Sequence, residues 1–291
     1  MCKGGDNMHT YSDDKIKGTL YGLAIGDAMG ATTEYFSQSS IKKMYKKRTD
    51  IIGKGWLNLY PGEVTDPTES TFCVCEALQS VAKFRNKYKY KDKLFLQCCR
   101  NFTQWFDSHP VDMEECCKKA VINCRDLDYQ EWIRFSEEPG TTESSNLFRC
   151  IPLILSRHKT EFLLTQSRLT HNNNLCDNEV RRFQQIMLAC LKDEEVTTEV
   201  FPQLPPRYRH ITHNLNSALY HLETTATFES AVMEAVYHGG DTDVIAALTG
   251  SLAGAMHGYH SIPQRWIDQL HPDVKEKLDY HIAFMTGNTD S

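Results

Sequence analysis

An all-α fold is predicted for this 291-residue chain by three observations. Nearly every patterned segment repeats its apolar residues at helical spacing, strand-like alternation is scarce, and the intervening segments are short and marked by proline and glycine. Length alone permits one large domain or two ordinary ones. No linker is long enough to divide the chain, and it contains no internal repeat or low-complexity block. The expectation is a flexible tail over residues 1–12 and a single domain over residues 13–291, built from about ten or more helices.

The first element, DKIKGTLYGLAIGDAMGATTEYF, places Ile16, Leu20, Leu23 and Ala24 on one face and Gly18, Gly22, Gly26 and Gly30 at four-residue intervals. Glycine costs up to about 1 kcal/mol in a helix interior, so the repeat points to close approach of another helix or a ligand. Further helices are expected at FCVCEALQSVAKF, KLFLQCCRNFTQWF, EECCKKAVINC, VRRFQQIMLACLKD, LNSALYHLE, FESAVMEAVYHGG, DVIAALTGSLAGAMHGY and VKEKLDYHIAFM. Proline and glycine mark loops at YPGEVTDP, SEEPGTTESSN, FPQLPPR and SIPQ.

Composition narrows the function classes. The formal net charge is −6, and the lysine-rich stretches IKKMYKKR and NKYKYKDK are short and balanced by acids, so they read as solvated faces and no nucleic-acid partner is expected. No apolar run approaches the roughly 20 residues that span a membrane, and MCKGGDNMHTYSDDK is polar where a signal peptide would be apolar. A cytoplasmic protein with no membrane partner is expected. The cysteines number eleven, an odd count, and include the adjacent pairs Cys98-Cys99 and Cys116-Cys117, which do not bridge easily within themselves. Reduced thiols buried in helical patterns are the reading.

Three loop-to-helix junctions carry candidate chemistry. In HGGDTDVIAALTG, two glycines lead into Asp241 and Asp243 at the start of a helix of small apolar residues. Two carboxylates at such a point can converge on a hard cation such as Mg²⁺, whereas simple N-capping needs only one. In PGEVTDPTES, Asp66, Pro67 and Glu69 read as an N-cap, a first helical residue and the closing acid of a capping box. The alternative is that Thr65 and Asp66 present a hydroxyl and a carboxylate to an ion held by Asp241 and Asp243. In GDAMGATTEYF, Asp27 and Glu34 lie two turns apart and share a face if the helix runs through Gly30. Each could equally be an ordinary exposed acid or a cap.

Together GTLYGLAIGDAMGATTEY, PGEVTDPT, LFRCIPLIL, RLTHNNN, the long segment ending HGGDTDVIAALTGSLAGAMHG, and IPQRW resemble, in this order, the ADP-ribosylhydrolase family, the dinitrogenase reductase-activating glycohydrolases and their relatives. The resemblance implies a compact orthogonal helical bundle that hydrolyses the bond between ADP-ribose and an acceptor on a protein or small molecule. It also implies one or two Mg²⁺ or Mn²⁺ ions. It makes Thr65, Asp66, Asp241 and Asp243 metal ligands, Glu34 and Asp66 catalytic acids, and Asn146, His171, Gly239 and Gly240 substrate contacts. Bottom-up chemistry agrees, since metal-held water is a better nucleophile at neutral pH and carboxylates stabilise an oxocarbenium-like state.

Three departures stand out. Pro67 replaces a second carboxylate after Asp66, Val244 replaces a hydroxyl ligand after Asp243, and Glu143-Ser144-Ser145-Asn146 replaces a glycine-rich segment. The first two remove ligands expected of a second ion, and Glu69, one turn on, is a candidate replacement. Two expectations follow: a metal-dependent glycohydrolase, or an impaired relative that binds ADP-ribose, a nucleotide or a protein in the same cleft.

Overall fold

The structure is a computed structural model and describes residues 11–46, 49–85, 88–135, 141–196 and 209–288. Helices account for its regular structure: α1 (Asp13–Gly30), α2 (Gln38–Tyr45), α3 (Asp66–Val81), α4 (Tyr90–Asp107), α5 (Glu115–Cys124), α6 (Tyr129–Phe135), α7 (Ser145–Phe148), α8 (Cys150–Leu155), α9 (Thr160–Ser167), α10 (Asn174–Lys192), α11 (Ile211–Thr224), α12 (Phe228–Val236), α13 (Thr242–His257), α14 (Gln264–Gln269) and α15 (Pro272–Thr286). Among the described residues there is no strand, only an isolated bridge between Lys54 and Leu59. The fold is all-α.

Much of the expected tail and the whole of FPQLPPR lie outside the described residues, as does the start of SEEPGTTESSN. Within the tail range, Tyr11 is buried and the Ser12 hydroxyl caps α1 by accepting the Lys15 N–H. Helices α2, α6, α7, α8, α9 and α14 arise outside the segments expected to be helical; none is longer than 8 residues, a length that is marginal without tertiary packing.

The axis of the fold is the antiparallel pair α1 and α13. Gly18 faces Gly254, Gly22 faces Gly250, Gly26 faces Ala246 and Gly30 faces Thr242. A Cβ added at Gly22 would lie 2.1 Å from the Gly250 carbonyl oxygen, and one at Gly26 would lie 2.0 Å from that of Ala246. The glycine repeat therefore serves close approach of a helix. Both helices are buried over nearly their whole length, and the other helices pack around them in one apolar cluster that includes Phe95, Trp132, Phe183 and Trp266. All ten described cysteines are buried and free. Because the pair is antiparallel, the C-terminal end of α1 meets the N-terminal end of α13, and the acids of both junctions arrive together.

Candidate active site

Asp241 stands at the N-cap position of α13 but its side chain caps nothing; it accepts from Asn214 Nδ2 at 2.5 Å. Asn214 also donates to Ser144, which ties α11 to the start of α7. Asp243 lies in the first turn, 2% exposed, and its Oδ1 has no hydrogen-bond partner. Simple N-capping thus explains neither acid.

Glu34 projects from the turn after α1, which ends at Gly30. It is neither an exposed acid nor a cap: it is 2% exposed and accepts the Trp56 indole N–H at 2.5 Å. Tyr35 and Trp56 pack with ring centroids 5.3 Å apart. Burial, with the Asp241 and Asp112 charges adding to it and the Trp56 donor opposing it, raises Glu34 to about 7. Asp241 is also raised to about 7, chiefly by burial. Asp66 and Asp243 are pushed well above the usual carboxylate range by burial and by neighbouring carboxylates.

The start of α3 corrects the capping-box reading. Thr65 occupies the N-cap without a side-chain cap bond, Asp66 is already helical, and the Glu69 carboxylate accepts the Trp105 indole N–H at 2.7 Å. The cap comes from another helix. Asp27, wholly buried on α1, accepts the Thr65 N–H and Thr68 N–H at 3.1 Å, the Thr65 hydroxyl at 2.6 Å and the Thr68 hydroxyl at 2.5 Å. With the α3 donors satisfied from outside, the Asp66 carboxylate is released to the cluster, where it accepts the Glu114 N–H at 3.0 Å. Glu69 is correspondingly committed elsewhere.

The loop between α4 and α5 forms the facing wall. One carboxylate oxygen from each of Glu34, Asp112 and Asp243 lies within 4.8 Å of the other two. Glu114 accepts the Ser144 and Ser145 N–H groups at 2.8 and 3.0 Å and lies 3.5 Å from His171 Nε2. Burial would raise Glu114, but His171 and the serine donors outweigh it and hold it at about 2.

His171 is wholly buried, with Nδ1 2.7 Å from the Thr170 hydroxyl and Nε2 3.3 Å from Cys116 Sγ. Arg149, also wholly buried, donates to Gln166, Thr170 and, at 3.0 Å, Cys117 Sγ. The Cys116 thiol and the Arg149 guanidinium hold the Cys117 thiol down at about 6 against burial. Asn146 is buried, donates to Ser167 and leaves its Oδ1 without a partner. Gly239 and Gly240 take φ of +88° and +82°, and Gly240 exchanges backbone hydrogen bonds with Tyr35 and Phe36, which locks the turn carrying Glu34 onto that carrying Asp241.

The converging oxygen-only group of Glu34, Asp112 and Asp243 is of the kind that holds a hard divalent cation. Of the other expected ligands, Asp66 and Asp241 stand beside it with one oxygen each accepting an N–H, and Thr65 spends its hydroxyl on Asp27. Ligands at about 2.0–2.1 Å in an octahedron lie about 3–4 Å apart, and the unpartnered Asp243 Oδ1 is a buried acceptor with nothing to accept. Pro67 is buried and offers no side-chain donor, and Val244 packs in the apolar core.

Sequence reasoning passed over Asp112, Glu114 and Asn214. Each lies outside the three junctions, in a loop or on a helix face whose local pattern reads as ordinary.

The comparisons agree with this geometry. A family model described as ADP-ribosylglycohydrolase matches residues 8–180 and 176–285. The chain is 27% identical over 294 residues to the ADP-ribosyl-dinitrogen reductase glycohydrolase of Rhodospirillum rubrum, covering 94% of this chain and 95% of that protein. It is also 27% identical over 289 residues to the ADP-ribosylarginine hydrolase Tri1 of Serratia proteamaculans, covering 88% of this chain and 75% of that protein. A solved ADP-ribosylglycohydrolase-related protein complex shares the fold with a TM-score of 0.76 at 21% identity, covering 94% of this chain and 98% of that one. With matches spanning nearly its whole length and the acids of three junctions gathered at one point, the chain belongs to the ADP-ribosylglycohydrolase family.

Proposed function

We propose that this protein is a metal-dependent ADP-ribosylhydrolase, which cleaves the glycosidic bond between ADP-ribose and an acceptor on a protein or small molecule. The observation that carries the reading is the buried pair Asp241 and Asp243 at the start of α13, which does not cap its helix and leaves Asp243 Oδ1 without a partner. Mg²⁺ or Mn²⁺ bound there would lower the pKa of a coordinated water and hold sugar hydroxyls.

The protein's own groups supply the rest. Glu34, buried and positioned by the Trp56 indole, is the carboxylate placed to exchange a proton. Asp66, freed from capping by Asp27, adds negative charge opposite a developing oxocarbenium ion. Asn214 fixes one face of Asp241. Gly239 and Gly240 hold that turn against Glu34, and Asn146 and His171 border the site on the Glu114 side. We place that action in the cytoplasm, a reading supported by the ten described cysteines, all of them buried and free.

A second reading, an impaired relative that binds ADP-ribose in the same cleft, is favoured by Pro67 and Val244, which bring no donor to positions where the family resemblance implies one. The two are separated by offering ADP-ribosylarginine and ADP-ribosylserine peptides with and without Mg²⁺ and measuring free ADP-ribose. Metal-dependent release supports the hydrolase. Tight ADP-ribose binding in EDTA, with no release from either peptide, supports the second reading.

A further inference from the structure

The family resemblance implies a carboxylate where this chain has Pro67, next to Asp66, and three nearby acids are candidates to supply it. Glu69, one turn along α3, has its carboxylate on the Trp105 indole at 2.7 Å. Glu114 spends its carboxylate on the Ser144 and Ser145 N–H groups and on His171. Asp112 remains, and its carboxylate is already among those of Glu34 and Asp243, with one oxygen from each within 4.8 Å of the others.

We propose that Asp112, from the loop between α4 and α5, is a metal ligand of this protein and takes over the carboxylate position that Pro67 vacates on α3. The inference rests on the metal-dependent reading of the site. Two further observations support it. Asp243, a member of the same cluster and only 2% exposed, leaves its Oδ1 a buried acceptor without a partner, as expected where the missing partner is a cation. The Asp112 loop is also held in place: the Met113 N–H donates to Asp112 Oδ1 at 2.8 Å and orients that carboxylate, and the Glu114 N–H donates to Asp66 at 3.0 Å, which ties the backbone just after Asp112 to the first acid of α3. A ligand on a pinned loop can replace a ligand on a helix because coordination demands the position of an oxygen and not the element that carries it.

The test is a Mn²⁺ titration of the purified full chain, with free ion read by electron paramagnetic resonance, on the unaltered protein and on Asp112→Asn, Asp243→Asn and Pro67→Asp/Asp112→Asn. Asp112 is half-buried in a loop, and equal melting of Asp112→Asn and the unaltered chain in EDTA confirms that the substitution leaves the fold intact. Expected are Mn²⁺ binding by the unaltered protein, a loss of at least about tenfold in Asp112→Asn, and recovery in the folded double variant. Unchanged affinity in Asp112→Asn alongside a loss in Asp243→Asn overturns the role of Asp112 while leaving the metal reading intact. A folded double variant that binds no better than Asp112→Asn overturns the exchange of positions. Absence of Mn²⁺ binding by the unaltered protein overturns the proposal together with the metal reading.

Discussion

Asp27 on α1 accepts both the backbone N–H and the hydroxyl of Thr68 on α3, and so caps a helix to which it does not belong. Substituting Asp27 by Ala removes the acceptor for two backbone N–H groups and two hydroxyls in a wholly buried setting. Each buried donor left unmet costs about 1–3 kcal/mol, so a loss of about 3 kcal/mol is expected from urea unfolding midpoints.

Gly26→Ala places a methyl group 2.0 Å from the Ala246 carbonyl oxygen, and neither helix can give way without opening the α1–α13 contact. Destabilisation of about 2–3 kcal/mol is expected. The same variant should weaken Mn²⁺ binding, because Glu34 and Asp243 sit at the end of that contact.

Trp56→Phe keeps an aromatic neighbour for Tyr35 but removes the donor that stabilises the ionised Glu34. The Trp56 donor holds the Glu34 pKa down, so its loss raises that pKa. If ionised Glu34 handles the proton, the acid limb of the kcat–pH profile moves to higher pH. An unmoved limb with lowered kcat would assign Trp56 to positioning alone.

Cys117→Ala leaves the wholly buried Arg149 guanidinium without the sulfur 3.0 Å away that accepts from it. Removing one partner of a buried charge pair costs about 3–5 kcal/mol, and the remaining Gln166 and Thr170 acceptors place the expected loss at the lower end, about 3 kcal/mol. Cys117→Ser should recover part of it, as read by thermal unfolding.

The pH dependence has a defined sign. Glu34 and Asp241 at about 7 and Asp27 at about 6 lie above ordinary carboxylates, so the folded chain binds these protons more tightly and gains stability as pH falls through those values. His158, His238 and His281 at about 4 and His221 at about 3 work in the opposite sense, and their cost begins below about 6.5. Glu114, at about 2, loses its contribution only in stronger acid. Cys117, lowered to about 6, opposes the gain over this window, but Asp66 and Asp243 are raised along with Glu34 and Asp241, so four carboxylates outweigh one thiol and the metal-free chain should melt higher at about pH 6.5 than at about pH 8. Saturating Mn²⁺ should abolish that rise, since the ion takes the place of the protons.

How much of this was legible in the sequence divides along physical lines. The glycine repeat and the paired acids Asp241 and Asp243 were readable because each is a local pattern with a strong cost if left unused: glycines that weaken a helix, and one carboxylate more than a cap requires. The start of α3 misled for the same reason. Asp66, Pro67 and Glu69 satisfy every local rule for a capping box, yet the box is not formed, because Asp27 arrives from α1 with a better-placed carboxylate. Asp112, Glu114 and Asn214 gave no signal, since a single acid or amide gains its meaning from what folding brings beside it.

The backbone contact between α1 and α13 also has a consequence for change over time. Where side chains separate two helices, a substitution can be absorbed by a small slide; here the peptide groups touch, and a slip of one residue would shift the helix about 1.5 Å and turn it about 100°. The pair acts as a jig that holds Glu34 and Asp243 at a set separation whatever happens on neighbouring loops. An ensemble so anchored can lose a donor on one segment and recruit another from a different one without losing alignment, so the site depends more on the jig than on any one of the loops around it.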